Sequence, residues 1–227
     1  MGRDSAADAE AVYRIATDNR LLAADMFADL TPEQWRTPSL CAGWTIREVA
    51  AHLLEPLETE VNTLTLLAYL VRYRGSLDRM VDDTARTVAA RPTDELVSGL
   101  RERASTRLAP PVIGPLGPMT DTCIHLRDAA RPLGLDVCPP PASWRPALDF
   151  LVSKPARRGF IPRERLVGLR LIATDQDWQH GEGSEIHGSS EAIAMAVSGR
   201  SAALADLAGP GTDVLRARVA PSPPAQP

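Results

Sequence analysis

The first 145 residues of the chain carry apolar residues at helical spacing and show no strand-like alternation. From Ala6 to Leu30, apolar side chains recur every three or four positions. Further helical segments follow, separated by loops that contain proline and glycine, with a clear break at Arg91 and Pro92. Because such helices can bury their apolar faces only against one another, this pattern predicts a bundle of four or five helices.

The segment LCAGWTIREVAAHLL contains the clearest helix start in the chain. Thr45 is expected to cap the helix with Glu48 as its capping-box partner, and Trp44 with Val49 fits a hydrophobic staple. His52 then lies about two turns into the helix, on the face of Val49. Taken alone, a histidine on such a face indicates a hydrogen-bonded core residue at least as well as a functional one.

Prolines mark two further helix boundaries. Pro56 is predicted to kink or end the helix that contains His52, before a further apolar stretch from Val61 to Val71. Pro132 and Gly134 are predicted to end a helix that begins near Met119.

The pattern changes after about residue 145. RLVGLRLIATDQDW predicts the first strand, GEGSEIHG a turn and strand, and SSEAIAMAVSGR a helix capped by Ser189 or Ser190. We therefore expect a mainly α protein with a helical domain at 1–142 and a small α+β domain at 143–219. The proline-rich stretch before Trp144 is interpreted as the hinge, and 220–227 as a flexible tail.

Composition excludes several classes of protein. The formal net charge of −4 and a pI near 5.6 argue against a nucleic-acid or anionic-membrane partner. No apolar run approaches the roughly 18 residues of a membrane span, and the first residues lack the apolar core of a secretion signal. The three cysteines share no metal-binding spacing and fit thiols in a reducing compartment. A cytoplasmic protein is expected.

A candidate metal site emerges from two separate helices. In MTDTCIHLRDAARPLG, Asp121 and His125 are four residues apart, so both project from one helix face. Such a pair serves as half of a metal site in some zinc proteins and as a plain surface pair in many helices. If His52 converges on it inside the bundle, three ligands leave a fourth position open. Cys41 and Cys123 are rival ligands, although Cys123 faces away from Asp121 and His125.

These motifs resemble one family. LCAGWTIREVAAHLL, IHLRDAARPLG and GSSEAIAMAVSGR together are similar to the mycothiol-dependent maleylpyruvate isomerase family, whose N-terminal domain is a DinB-like helical bundle. The resemblance extends from about residue 10 to about 218. It implies a DinB-like four-helix bundle followed by the small α+β domain, and it implies that His52, Asp121 and His125 are the metal ligands.

The resemblance also implies a chemistry. Zn²⁺ or another divalent metal would stabilise the thiolate of mycothiol or a similar thiol cosubstrate, which attacks an electrophilic small molecule in an S-transfer or an isomerisation. Asp128 is a candidate to orient His125, or else a solvated helix residue. Arg200 is a candidate to bind an anionic group of thiol or substrate, or else a capping or surface residue. His180 and His187 are interpreted as turn and strand residues.

A different class of function fits the same fold. The bundle can equally serve as a non-catalytic metal- or small-molecule-binding or regulatory module, because a fold does not determine its function. Metal content and thiol reactivity distinguish the two hypotheses.

Overall fold

The computed structural model describes residues 2–59, 72–158 and 160–219. The chain divides into two compact units, Met1–Pro139 and Pro140–Pro227. The first is a helical bundle and the second contains a small sheet with helices, so the predicted fold class is confirmed.

The N-terminal unit is built from helices that share one core. They are α1 (Gly2–Ala28), α2 (Pro32–Trp35), α3 (Ile46–Glu58), α4 (Leu77–Ala89), α5 (Thr93–Glu102) and α6 (Leu116–Ala130). Helix α1 packs on α5 and α6, while α3 packs on α4, α5 and α6. Phe27, Ile46, Leu54, Leu100 and Leu126 are buried in the core between them. The central position of α3 brings its polar residues next to those of α6.

The predicted start of α3 is confirmed. The backbone N–H of Thr45 donates to the Glu48 carboxylate at 2.8 Å, which completes the capping box. Trp44 and Val49 are both buried in the same apolar cluster. Pro56 lies inside α3, which ends two residues later at Glu58. The apolar stretch predicted from Val61 to Val71 lies outside the described residues.

The other helix boundaries largely follow the prolines and glycines. Helix α4 ends at Ala89 and α5 begins at Thr93, on either side of the predicted break. Helix α6 begins at Leu116, three residues before the predicted start. Its last turn continues as a 3-10 helix, Arg131–Leu133, which Gly134 ends with a φ of +65°.

A buried cation ties α1 to the end of α5. Arg20 is 3% exposed and donates to the carbonyls of Ala104 and Thr106, both at 2.8 Å. Burial lowers the pKa of Arg20 to about 10, so its guanidinium stays protonated at neutral pH. The positive charge also lies near the carbonyl end of α5, where a helix favours cations.

The C-terminal unit combines a mixed sheet with short helices. It contains α7 (Pro141–Leu151), β1 (Leu169–Ala173), β2 (Gln179–Gly181), β3 (Ser184–Gly188), α8 (Ser190–Val197) and α9 (Thr212–Val219). The central strand β1 pairs antiparallel with β2 and parallel with β3. Helix α8 packs on α7 and on the sheet. Ser189 caps α8 by accepting from the backbone N–H of Ala192, one of the two predicted caps.

The sequence does not predict helix α7, whose first residues, Pro141 to Ser143, belong to the proline-rich stretch interpreted as the hinge. Pro141 occupies the first helical position, where no backbone donor is needed. Pro146 lies inside the helix, and the burial of Trp144, Leu148 and Leu151 offsets the hydrogen bond that it cannot make. The predicted flexible tail, 220–227, lies outside the described residues. None of the described helices is long and apolar enough to cross a membrane.

Candidate metal centre

Three side chains from α3 and α6 converge inside the bundle. His52 comes from α3, and Asp121 and His125 come from successive turns of α6. Nε2 of His52 lies 3.7 Å from Oδ2 of Asp121, and Nε2 of His125 lies 3.8 Å from Oδ1 of Asp121. One potential ligand atom from each residue lies within 4.8 Å of the other two. The structure thus brings together the three residues that the sequence pointed to.

Asp128 fixes the orientation of the His125 ring. Its Oδ2 lies 3.0 Å from Nδ1 of His125, and Asp128 is completely buried. A ring that donates through Nδ1 presents the lone pair of Nε2 to the cluster. Burial lowers the pKa of His125, against the opposing effect of the hydrogen bond to Asp128. His125 is therefore favoured in its neutral form, which is the form that binds metals.

The cluster is enclosed on its imidazole side and open at the carboxylate. The side chains of His125 and His52 are 9% and 13% exposed, whereas that of Asp121 is 35% exposed. The two imidazole rings meet edge to face with centroids 4.7 Å apart. A small molecule can therefore approach the cluster along the side of Asp121.

Trp44 covers the two histidines, and a contact with α4 holds it there. Its ring centroid lies 5.2 Å from that of His52 and 6.2 Å from that of His125. The indole Nε1 donates to Oδ1 of Asp82 at 2.8 Å. The hydrogen bond from Arg86, followed by the one from Trp44, lowers the pKa of Asp82. Trp44 is buried, as the sequence predicts, whereas no local pattern points to Asp82, because the two residues lie 38 positions apart.

Two backbone contacts anchor the loop that carries Trp44. Nη2 of Arg86 donates to the carbonyl of Gly43 at 2.8 Å. The N–H of Leu40 donates to the carbonyl of Asp128 at 3.1 Å. The loop is therefore attached both to α4 and to the turn of α6 that follows His125.

Neither rival cysteine belongs to the cluster in the described part of the chain. Cys123 is completely buried, and Nδ2 of Asn19 donates to its sulfur at 3.2 Å. Burial raises the pKa of Cys123 to about 12, which keeps it a neutral thiol. Cys41 is half-buried in the loop before α3 and is absent from the group of converging ligand atoms.

The remaining candidates lie in the C-terminal unit. Arg200 precedes a 3-10 helix, and its Nη1 donates to the carbonyl of Ser198 at 3.0 Å. Its predicted anion-binding role stays a prediction. His180 lies in β2 and His187 in β3, where Nε2 of His187 is 3.1 Å from Oε2 of Glu185. Both histidines lie in strands, whereas the sequence predicts turn and strand residues for this stretch.

Residues 20–111 match the family described as the mycothiol maleylpyruvate isomerase N-terminal domain. This match spans less than half of the chain. The predicted resemblance is thereby confirmed, on a segment that contains Trp44 and His52 and ends before Asp121.

A solved structure shows similarity over a longer part of the chain. It is the crystal structure of a histidine-to-alanine mutant of the mycothiol-dependent maleylpyruvate isomerase, 16% identical, with a TM-score of 0.48. The similarity covers 90% of this chain and 93% of that one. No curated protein shows significant similarity to the chain.

Proposed function

We propose that the protein is a metal-dependent enzyme that uses a low-molecular-weight thiol, mycothiol or a similar one, to form an S-conjugate with an electrophilic small molecule or to isomerise it. The observation that carries the proposal is the cluster of two imidazoles and one carboxylate within 4.8 Å, open on the side of Asp121. The family of residues 20–111, whose name contains mycothiol, supports the choice of thiol.

The donor set fits Zn²⁺ or another divalent metal. Zinc binds imidazole nitrogen and carboxylate oxygen at about 2.0–2.2 Å, so donor atoms in a tetrahedral site lie roughly 3.3–3.6 Å apart. The separations of 3.7 and 3.8 Å join the two histidines to different oxygens of Asp121, and one ligand atom from each residue lies within 4.8 Å of the other two. Side-chain rotations of His52, Asp121 and His125 would close the cluster to ligand distance.

Residues of the chain prepare the site for thiol chemistry. When bound with three protein ligands, a zinc ion supplies an open position at which a thiol is held as its thiolate. Asp128 keeps Nε2 of His125 aimed at the cluster, and Trp44 shields both imidazoles from water. Cys123 does not serve as the nucleophile, because burial raises its pKa to about 12. No cysteine of the described residues joins the cluster of ligand atoms, so the reacting sulfur is assigned to the cosubstrate.

The runner-up function is a non-catalytic binding or regulatory module. One observation favours it: the N-terminal unit contains a cavity of about 510 Å³ between α1, α2 and α5. Phe27, Trp35 and Val97 line it, and none of the three candidate metal ligands does. This volume lies within the range of about 300–1,000 Å³ that is typical of small-molecule sites.

We place the enzyme in the cytoplasm, without a nucleic-acid or membrane partner. The net negative charge of the chain and its three free thiols, one of them deeply buried, support this assignment.

Thiol conjugation measured with and without metal tests the proposal. We expect mycothiol, and to a different extent glutathione, to react with an electrophile such as 1-chloro-2,4-dinitrobenzene on metal-replete protein. Chelation or the substitution His52→Ala should abolish the reaction, whereas His187→Ala, outside the cluster, should leave it unchanged. A rate unaffected by chelation would refute activation by the metal. Bound metal without any thiol reactivity would favour the binding module.

A further inference from the structure

The C-terminal unit contains a cavity of about 250 Å³ with an apolar floor and a cationic rim. Leu151 and Ile161, only 1% and 3% exposed, form the floor together with the half-buried Leu166. Arg157, Arg163 and His180 contribute the polar groups. No acidic residue is among the described residues that line it.

The two arginines of the rim lack carboxylate partners in the described part of the chain. Both are exposed, and neither guanidinium forms an ion pair or a hydrogen bond there. Elsewhere in the same unit, Arg170 pairs with Glu185 at 3.2 Å and Arg216 with Asp213 at 3.7 Å. The guanidinium groups of Arg157 and Arg163 are therefore available to an external anion.

The third polar group of the rim is held in place. The ring of Trp178 stacks on that of His180 with centroids 6.3 Å apart and an angle of 22° between the planes. Nε1 of Trp178 in turn donates to Oδ1 of Asp149 at 2.8 Å. His180 is also fixed by the pairing of β2 with β1, opposite Leu171. An exposed strand histidine that is supported in this way presents its ring to the cavity in a defined position.

We propose that this cavity is a binding site for a small organic carboxylate with an apolar body. Guanidinium groups recognise carboxylates through paired, charge-assisted hydrogen bonds, and the apolar floor receives the body of the ligand. A volume of about 250 Å³ lies just below the usual range of about 300–1,000 Å³, so the ligand is small, of the size of an aromatic acid. The described residues that line the site all belong to the C-terminal unit, and none of them is a candidate metal ligand.

Benzoate is a suitable probe for the test, with benzamide and acetate as comparators. Benzamide keeps the ring without the charge, and acetate keeps the charge without the ring. Binding to the full-length chain is measured by calorimetry, on metal-replete and chelated protein. The ¹H–¹³C spectra of the four histidine rings locate the ligand, with the signal of His180 assigned from His180→Gln.

We expect saturable binding of benzoate that shifts the His180 signal equally with and without metal. Benzamide and acetate should bind at least about tenfold more weakly, since each lacks one half of the recognition. The double variant R157Q/R163Q should lose at least about tenfold in affinity. Arg216→Gln, which removes an exposed arginine of the same unit away from the cavity, should bind like the wild type.

Three results would overturn the proposal. They are no saturable binding of benzoate, unchanged affinity in the double variant, and shifts confined to the rings of His52 and His125. The last result would place benzoate at the metal centre instead. Because both arginines are exposed, the double variant is expected to fold, and its thermal unfolding is compared with that of Arg216→Gln.

Discussion

The carboxylate of Asp128 lies 3.0 Å from Nδ1 of His125, in a part of the bundle where Asp128 has no exposed surface. In Asp128→Ala, the Nδ1–H group of His125 loses its hydrogen-bond acceptor in a buried environment. This loss should lower the free energy of unfolding by about 1–3 kcal/mol. The ring also loses its orientation, so metal affinity should fall about 10- to 100-fold.

The control variants separate orientation from charge. Asp128→Asn keeps an acceptor for Nδ1 and should recover part of the metal affinity, whereas the exposed Asp136→Ala should match the wild type. Metal affinity is measured by competition with a chromophoric chelator. Equal affinity in Asp128→Ala and the wild type would show that the hydrogen bond does not serve the site.

One divalent metal ion is expected per chain, bound through His52, Asp121 and His125. Removal of any one ligand leaves two donors, which is too few for a stable zinc site. Elemental analysis of purified His52→Ala should show less than about a tenth of the wild-type metal content, and His187→Ala the full content. If folded His52→Ala retained its metal, the ligand assignment would be wrong.

The contact between Trp44 and Asp82 is expected to maintain the arrangement of the two histidines. Asp82→Ala removes the acceptor of the indole, so the ring signals of His52 and His125 should shift and metal affinity should fall several-fold. Asp83→Ala is the matched control, because Asp83 instead accepts from Tyr73 and Arg72. Identical histidine spectra in the two variants would refute a positioning role.

The same aspartate predicts a dependence of stability on pH. The hydrogen bonds of Asp82 lower its pKa from the ordinary 3.8, so its contribution to stability is complete above that value. The contribution is lost as the pH falls through the lowered pKa. In urea unfolding at pH 7, the wild type should therefore have a higher free energy of unfolding than Asp82→Ala. The difference between the two free energies should shrink toward pH 3. A constant difference would contradict this titration.

Cys123 is expected to resist alkylation in the folded protein. Its thiol is completely buried, and its pKa is raised to about 12, so little thiolate exists at pH 8. Mass spectrometry after iodoacetamide treatment should show modification of the half-buried Cys41 and Cys138 first. Rapid labelling of Cys123 under native conditions would mean that α6 opens readily.

Limited proteolysis is expected to cut between the two units. The stretch from Gly134 to Pro140 has no regular secondary structure and precedes α7, while the tail after Val219 is the other expected site. The fragments are identified by mass spectrometry. A first cut within 49–71 would contradict the predicted domain boundary near residue 142.

The candidate metal ligands could be predicted from the sequence because local rules determine the helix and the helix face on which each one lies. A spacing of four puts Asp121 and His125 on one helix face, and the capping box sets the start of the helix that carries His52. Whether the two helices converge depends on how the bundle packs, which no local rule determines. The expectation that His52 lies beside Asp121 and His125 came from the resemblance to a known family.

Other features depend on contacts between distant residues and had no local signal. The hydrogen bond from Trp44 to Asp82 joins a loop to a helix 38 residues away. Helix α7 forms despite Pro146, because tertiary burial of its apolar face outweighs the poor local propensity. The cavity lined by His180 likewise forms only when the segment that follows α7 packs beside β2.

The position of Trp44 gives the protein an optical reporter of its own. Indole emission responds to charge and to paramagnetic ions within a few ångströms, and this indole lies 5.2 Å from the ring of His52. Of the other tryptophans, Trp35 shares the bundle core but stacks on Phe27, whereas Trp144 and Trp178 belong to the C-terminal unit. Loading with Zn²⁺ should therefore change one component of the emission and loading with Cu²⁺ should quench it, so that filling of the site can be followed without a label.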